Sequence, residues 1–66
     1  MARNISIKVA RAKKDMTQTE LAAAVGISRQ TMNAIEQGTY NPTIKLCRAI
    51  CKVLDESLDE LFGEEN

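Results

Sequence analysis

The chain has 66 residues, 44 % of them apolar, and its aromatics are Tyr40 and Phe62 alone. That is enough apolar matter for one small core and argues against disorder, but such a core is marginal without a partner subunit, and two aromatics do not make a stacking platform for single-stranded nucleic acid. The formal charge is zero but unevenly placed: residues 1–52 hold all nine Lys and Arg against Asp15, Glu20 and Glu36, a balance of +6, while residues 53–66 hold six acids and no base.

A basic body with an acidic tail fits a polyanionic partner, and equally an ordinary solvated surface. No apolar run has the length of a membrane span. The start, Met1-Ala-Arg-Asn-Ile-Ser-Ile-Lys8, lacks the unbroken apolar stretch of an export signal, so a cytoplasmic protein is expected. With no histidine and two cysteines, the chain offers no metal-ligand cluster and no nucleophile setting, and neither an enzyme nor a cofactor is expected.

The first helix is expected over about residues 5–14. Asn4 can cap it, and Ile5, Val9 and Ala12 keep helical spacing on one side, although the alternation Ile5-Ser6-Ile7-Lys8-Val9 also fits a short strand. The second, about 18–25, has a sharper start: Thr17-Gln-Thr-Glu20 matches a capping box, in which hydroxyl and carboxylate satisfy each other's backbone N–H groups. Leu21 and Val25 should face the core, and Ala22 to Ala24 allow close approach. Gly26 ends this helix in a left-handed conformation, and Ile27 turns inward.

Ser28 caps a third helix, about 28–37, with Met32 and Ile35 on its inner face and Gly38 at its end. Thr39-Tyr-Asn-Pro42 is a connector, since Pro42 biases Asn41 away from helix. A fourth helix follows over about 43–54. Its main stripe is Ile44, Cys47, Ile50, Cys51 and Leu54, and Leu46, Ala49 and Val53 make a weaker one. Ser57-Leu-Asp-Glu60 reads as a second capping box, opening a last helix over about 57–62 with Leu58, Leu61 and Phe62, after which residues 63–66 should fray. No repeat or linker interrupts residues 1–66, so a single domain is expected.

The middle of this series has the geometry of a helix-turn-helix. Two helices cross steeply through a short glycine turn, which demands a small residue at the crossing and apolar residues on both inner faces. Leu21, Ala22, Val25, Gly26, Ile27, Met32 and Ile35 meet those demands at fixed spacing. What the packing leaves over is polar and outward, above all Arg29, Gln30 and Asn33.

At these residues the chain resembles the phage repressor/Cro-like (XRE) helix-turn-helix regulators. The resemblance covers roughly residues 5–62 and is strongest in Met16-Thr-Gln-Thr-Glu-Leu-Ala22, Val25-Gly-Ile-Ser-Arg-Gln-Thr31, Ile35-Glu-Gln-Gly-Thr-Tyr-Asn-Pro-Thr43 and Ser57-Leu-Asp-Glu-Leu-Phe62. It implies an all-α, compact five-helix domain of the phage-repressor type that binds double-stranded DNA as a symmetric homodimer and regulates transcription, as a repressor in the first instance. In the docking it implies, the third helix enters the major groove, where Arg29 pairs with guanine, Gln30 with adenine, and Asn33 reaches a base or a phosphate. Backbone contacts fall to Thr17, Gln18, Ser28, Thr31, Thr39, Tyr40 and Asn41, with longer-range attraction from Lys13, Lys14 and Lys45. The resemblance further implies an internal ion pair between Arg11 and Glu36, and a dimer interface on the last two helices with Leu46, Val53, Leu58, Leu61 and Phe62. The chain departs from the family pattern at Asp55-Glu56, where Gly-Val is frequent.

Duller roles compete at several positions. Ser28 is a helix cap before it is a DNA contact, Tyr40 is as well suited to packing on the fourth helix, and Asn41 to shaping the turn before Pro42. Cys47 and Cys51 share one helix face and read as core thiols. A second functional class also stands: a protein-interaction module, such as an antitoxin that neutralises a partner protein, with the acidic tail from Glu56 to Glu65 on the partner.

Overall fold

The computed structural model describes residues 4–63, and the regular structure there is five helices: α1 (Ile5–Lys13), α2 (Gln18–Val25), α3 (Arg29–Gln37), α4 (Ile44–Leu54) and α5 (Leu58–Phe62). The alternation near Ile5 is helical, since the Asn4 side chain accepts from the Ile7 N–H and starts α1 at once. Of the residues expected to fray, Gly63 closes α5 with its N–H on the Asp59 carbonyl, and residues 64–66, with the tail acids Glu64 and Glu65, lie outside the described residues.

Each helix begins at a side-chain cap that the sequence supplies. Thr17 forms the full box: its hydroxyl accepts from the Glu20 N–H at 3.0 Å and its own N–H donates to Glu20 Oε1 at 2.8 Å. Ser28, Thr43 and Ser57 accept in the same way from the N–H groups of Thr31, Leu46 and Glu60. At Ser57 only this hydroxyl half of the expected box is formed. Gly26 and Gly38 close α2 and α3 at φ 79° and 83°, where a side chain would be strained. Around Gly26 an added Cβ would meet nothing within 4 Å, so the backbone angle, and not crowding, calls for glycine there.

The helices share one core of Ile7 and Ala10 from α1, Leu21 and Ala22 from α2, Met32 and Ile35 from α3, Ile50, Cys51 and Leu54 from α4, and Leu61 from α5. Ala22, 1 % exposed, sits in the tight crossing of α2 with its neighbours, as the small-residue requirement demands. Asn4 ties the ends together: its Nδ2 donates to the Leu61 carbonyl at 2.7 Å and its N–H to the Glu36 carbonyl at 2.8 Å.

Three expectations are corrected. The inner face of α1 is Ile7 and Ala10, not Ile5, Val9 and Ala12; Ile5 and Val9 are 63 % and 48 % exposed. The helix is rotated so that Arg11, one turn on from Ile7, meets Glu36 of α3, and that rotation turns the second apolar set outward. Ile44 is 62 % exposed because it occupies the first position of α4, before the helix reaches the core. Leu61 is 4 % exposed and packs within its own subunit, which removes it from the surface of the last helices.

The Asp55-Glu56 departure leaves the exit of α4 intact. Asp55 takes the left-handed position itself, at φ 58° and ψ 45°, and its N–H closes on the Cys51 and Lys52 carbonyls.

Candidate nucleic-acid interface

The fold holds α3 against its neighbours by a buried arc of Met32, Ile35 and Glu36 and leaves Arg29, Gln30, Asn33 and Gln37 exposed on the other side. The buried charge is matched. Arg11 grips the Glu36 carboxylate in two-bond fashion, Nε to Oε2 at 2.9 Å and Nη2 to Oε1 at 3.1 Å, and its Nη1 donates to the Met16 carbonyl at 3.1 Å. With side chains 14 % and 7 % exposed, this pair fastens α1, the turn before α2, and α3 together. It differs in kind from the open Lys13–Glu56 contact at 3.9 Å, whose contribution is about 0–1 kcal/mol.

The start of α2 lies beside this face. The capping box uses the Thr17 and Glu20 N–H groups, and the intervening Gln18 and Thr19 N–H groups are the orphan donors of a helix start, suited to an anion such as a phosphate. The Gln18 side chain points elsewhere: Nε2 donates to Glu36 Oε1 at 3.2 Å and to Asn33 Oδ1 at 3.3 Å. Any phosphate contact at this residue therefore falls to its backbone.

Around α3 the hydroxyl-bearing residues divide. Ser28 caps the helix and donates to Thr31 Oγ1 at 2.9 Å, which leaves the Thr31 hydroxyl proton available. The Thr39 N–H and hydroxyl both donate to the Ala34 carbonyl, at 3.0 and 3.3 Å, so Thr39 finishes α3 before it can serve a phosphate. Tyr40, 45 % exposed, and Asn41 line the connector that follows.

Sequence reading missed Gln37, the long-range bond of Asn4 and the second role of Gln18, although the cap that Asn4 forms on α1 was expected. Gln37 was findable, one turn beyond Asn33 on the polar arc of α3. Asn4 joins residues 57 apart in the chain, and no local pattern signals such a bond.

The dimer candidates on α4 and α5 other than Leu61 are half-buried: Leu46, Val53, Leu58 and Phe62 pack on the core with one side and present the other. Cys47 and Cys51 are buried free thiols. Burial pushes both up from the ordinary thiol range, with Cys47 and Glu56 adding to the effect at Cys51, which makes them poor nucleophiles. Among the described residues there is no group of three or more metal-ligating side chains, and no helix is long and apolar enough to cross a membrane.

Residues 7–61 match the family profile described as helix-turn-helix. A transcriptional regulator of the HTH type from Archaeoglobus fulgidus is 45 % identical over 56 residues, covering 85 % of this chain and 79 % of that protein. The antitoxin PezA of Streptococcus pneumoniae is 37 % identical over 60 residues, which are 91 % of this chain but 38 % of the antitoxin. Among solved structures, the restriction-modification controller protein C.AhdI of Aeromonas hydrophila superposes with a TM-score of 0.81 at 25 % identity, covering 89 % of this chain and 86 % of the other. A matching profile over most of the chain, relatives named as regulators and an all-helical fold shared with a controller protein agree with the geometry above, and the chain belongs to the XRE-type helix-turn-helix family of DNA-binding transcriptional regulators.

Proposed function

We propose that this regulator is a cytoplasmic, non-enzymatic repressor that binds a palindromic operator as a homodimer, with α3 in the major groove. The observation that carries the reading is the face of α3: Arg29 and Gln30 are exposed at its first turn, beyond anything the core needs, and the start of α2, with its open N–H groups, lies beside Asn33 further along the same face. Arg29 reads guanine N7 and O6 through two bonds, Gln30 reads adenine N7 and N6, and Asn33 reaches a base one turn later. The Thr17 hydroxyl, the Gln18 backbone, Thr31, Tyr40 and Asn41 hold the sugar-phosphate strand, with Ser28 as cap first and contact second and Thr39 as the weakest member.

The second copy packs on Leu46, Val53, Leu58 and Phe62. A two-fold dimer places two copies of α3 in successive major grooves, about 34 Å or 10 base pairs apart. Repression then follows from occupancy, where the operator overlaps a promoter. Selection of bound duplexes from a random pool tests this directly. A palindromic consensus with that spacing is the expected result, and absence of enrichment at moderate salt overturns the proposal.

A second reading, as a protein-interaction module of the antitoxin kind, is favoured by the likeness to PezA and by the apolar patch of Ile5 and Val9 beside Glu56 and Glu60. Under that reading the chain co-purifies with a partner protein and the random pool yields no consensus.

A further inference from the structure

The side chains of Arg11, Glu36, Gln18 and Asn33 form a chain of hydrogen bonds from the buried ion pair to the exposed face of α3. We propose that Gln18 is a positioning residue that fixes the polarity of Asn33, so that Asn33 reads its base as a hydrogen-bond donor, on guanine N7/O6 or thymine O4, and not in the two-bond mode that selects adenine. The inference rests on the DNA-binding reading of α3.

The oxygen and nitrogen of an amide side chain exchange places on a half-turn, so its neighbours decide which end points where. Glu36 decides for Gln18. Its carboxylate only accepts, and Arg11 holds both oxygens in place, at 2.9 and 3.1 Å. Arg11 is fixed in turn by the Met16 carbonyl. A half-turn of Gln18 sets its Oε1 against Glu36 Oε1, acceptor against acceptor, so Nε2 faces the carboxylate at 3.2 Å.

Gln18 then decides for Asn33. The same Nε2 lies 3.3 Å from Asn33 Oδ1, and its two protons serve these two acceptors. A half-turn of Asn33 brings two NH₂ groups face to face with no acceptor between them. Asn33 Oδ1 therefore points inward and Nδ2 is the outward end of an exposed side chain.

That asymmetry bears on base choice. Adenine shows an acceptor at N7 and a donor at N6, and pairing with both requires the oxygen and the nitrogen of the amide on the base. Guanine shows acceptors at N7 and O6 and thymine one at O4, which Nδ2 alone can serve. An unbraced asparagine can turn to suit either kind of edge, and the Gln18 contact removes that freedom.

The test compares the sites selected from one random duplex pool by the wild type, Asn33→Ala, Gln18→Ala and Arg29→Ala. The position whose preference Asn33→Ala abolishes is the one read by Asn33. There the wild type should prefer guanine or thymine over adenine by about fivefold or more. Gln18→Ala should bring adenine to within about twofold of the preferred base, while the positions abolished by Arg29→Ala keep their preference. Adenine preferred by the wild type at that position, no change in Gln18→Ala, or no position altered by Asn33→Ala overturns the inference and leaves the DNA-binding reading standing. No enriched sequence with the wild type removes that reading itself. A measurement on the free wild-type protein avoids any question of folding in the variants: the Gln18 Nε2 protons should exchange with water more slowly than those of Asn33 Nδ2 or Gln30 Nε2 by nuclear magnetic resonance, and equal exchange overturns the relay.

Discussion

Helices α3 and α4 are both sharply two-sided, but they use their outer faces differently. On α3 the arc beyond Met32, Ile35 and Glu36 is polar, with Arg29, Gln30, Asn33 and Gln37 exposed and the small Ala34 and Thr31 at its edge. On α4 the buried arc of Cys47, Ile50, Cys51 and Leu54 is flanked on one side by the exposed Lys45, Arg48 and Lys52 and on the other by the half-buried Leu46, Ala49 and Val53. The outer face of α3 adds nothing to the core and ties to the rest of the fold through the exposed Asn33–Gln18 hydrogen bond, which frees Arg29 and Gln30 to be chosen for a ligand. The apolar flank of α4 is surface that folding started to bury and did not finish, which suits contact with a second copy. The two helices are also held differently: α3 adds a buried ion pair to its apolar contacts, while among the described residues α4 is held by apolar packing.

The largest effects test that difference in anchoring. Arg11→Ala leaves the Glu36 carboxylate, 8 % exposed, without its cation, and should destabilise the fold by about 3–5 kcal/mol. Ile50→Ala, in the fully buried arc of α4, should lose about 2–5 kcal/mol through the cavity it leaves. Urea unfolding measures both. A loss under about 1 kcal/mol for Arg11→Ala means that α3 is held by its apolar contacts and that the contrast with α4 is false.

Next come the outer faces themselves. Arg29→Ala should weaken operator binding by about 1–3 kcal/mol, and Gln30→Ala should act in the same direction, with the unfolding midpoint unchanged. On α4, Val53→Lys should weaken self-association by roughly 1–2 kcal/mol, read by sedimentation equilibrium, because half-buried apolar area is replaced by a charge at the proposed dimer surface. If Arg29→Ala lowers stability instead of affinity, or Val53→Lys leaves the subunit equilibrium unmoved, the division of labour between the two helices is wrong.

Where sequence signals reinforced one another, the fold was legible. The α2–α3 unit has a capping box at Thr17, a small residue at Ala22, left-handed glycines at positions 26 and 38 and a serine cap at position 28, and each restricts the same geometry. The face of α1 was not legible in its spacing, because Ile5, Val9 and Ala12 form as good an apolar stripe as Ile7 and Ala10, and the choice is made by Arg11 meeting Glu36 25 residues away, a pair that the family resemblance implied and periodicity did not. Ile44 misled for the opposite reason: its spacing is right, but it lies one turn short of the core. Within the candidate site, Arg29 and Gln30 stand out as polar residues on a helix whose other face is fully used. The contact of Gln18 with Asn33 and Glu36 was hidden, since it needs the crossing angle of two helices to bring residues 15 and 18 apart together.

The end of α4 offers the smallest and most separable effect. Where glycine is frequent in the family this chain has Asp55, left-handed at φ 58°, and it closes the helix with the same backbone bonds that Gly38 makes on α3. Two penalties act there. The left-handed region disfavours a residue with a Cβ, less so for Asp and Asn than for others, and an acid at a helix C-terminus faces the negative end of the dipole, by about 0.3–1 kcal/mol. Asp55→Asn keeps the shape and removes the charge, so it should stabilise by roughly 0.3–1 kcal/mol, and the gain should shrink as salt is added. Asp55→Gly also relieves the backbone but restores freedom to the unfolded chain, which offsets part of that relief, and should stabilise by about 0.5–1 kcal/mol, a part of it insensitive to salt. Thermal unfolding of the two variants at low and high salt therefore separates charge from backbone. If neither variant is more stable than the wild type, then Asp55 is favourable where it stands, and α4 ends on a side chain where α3 ends on a glycine.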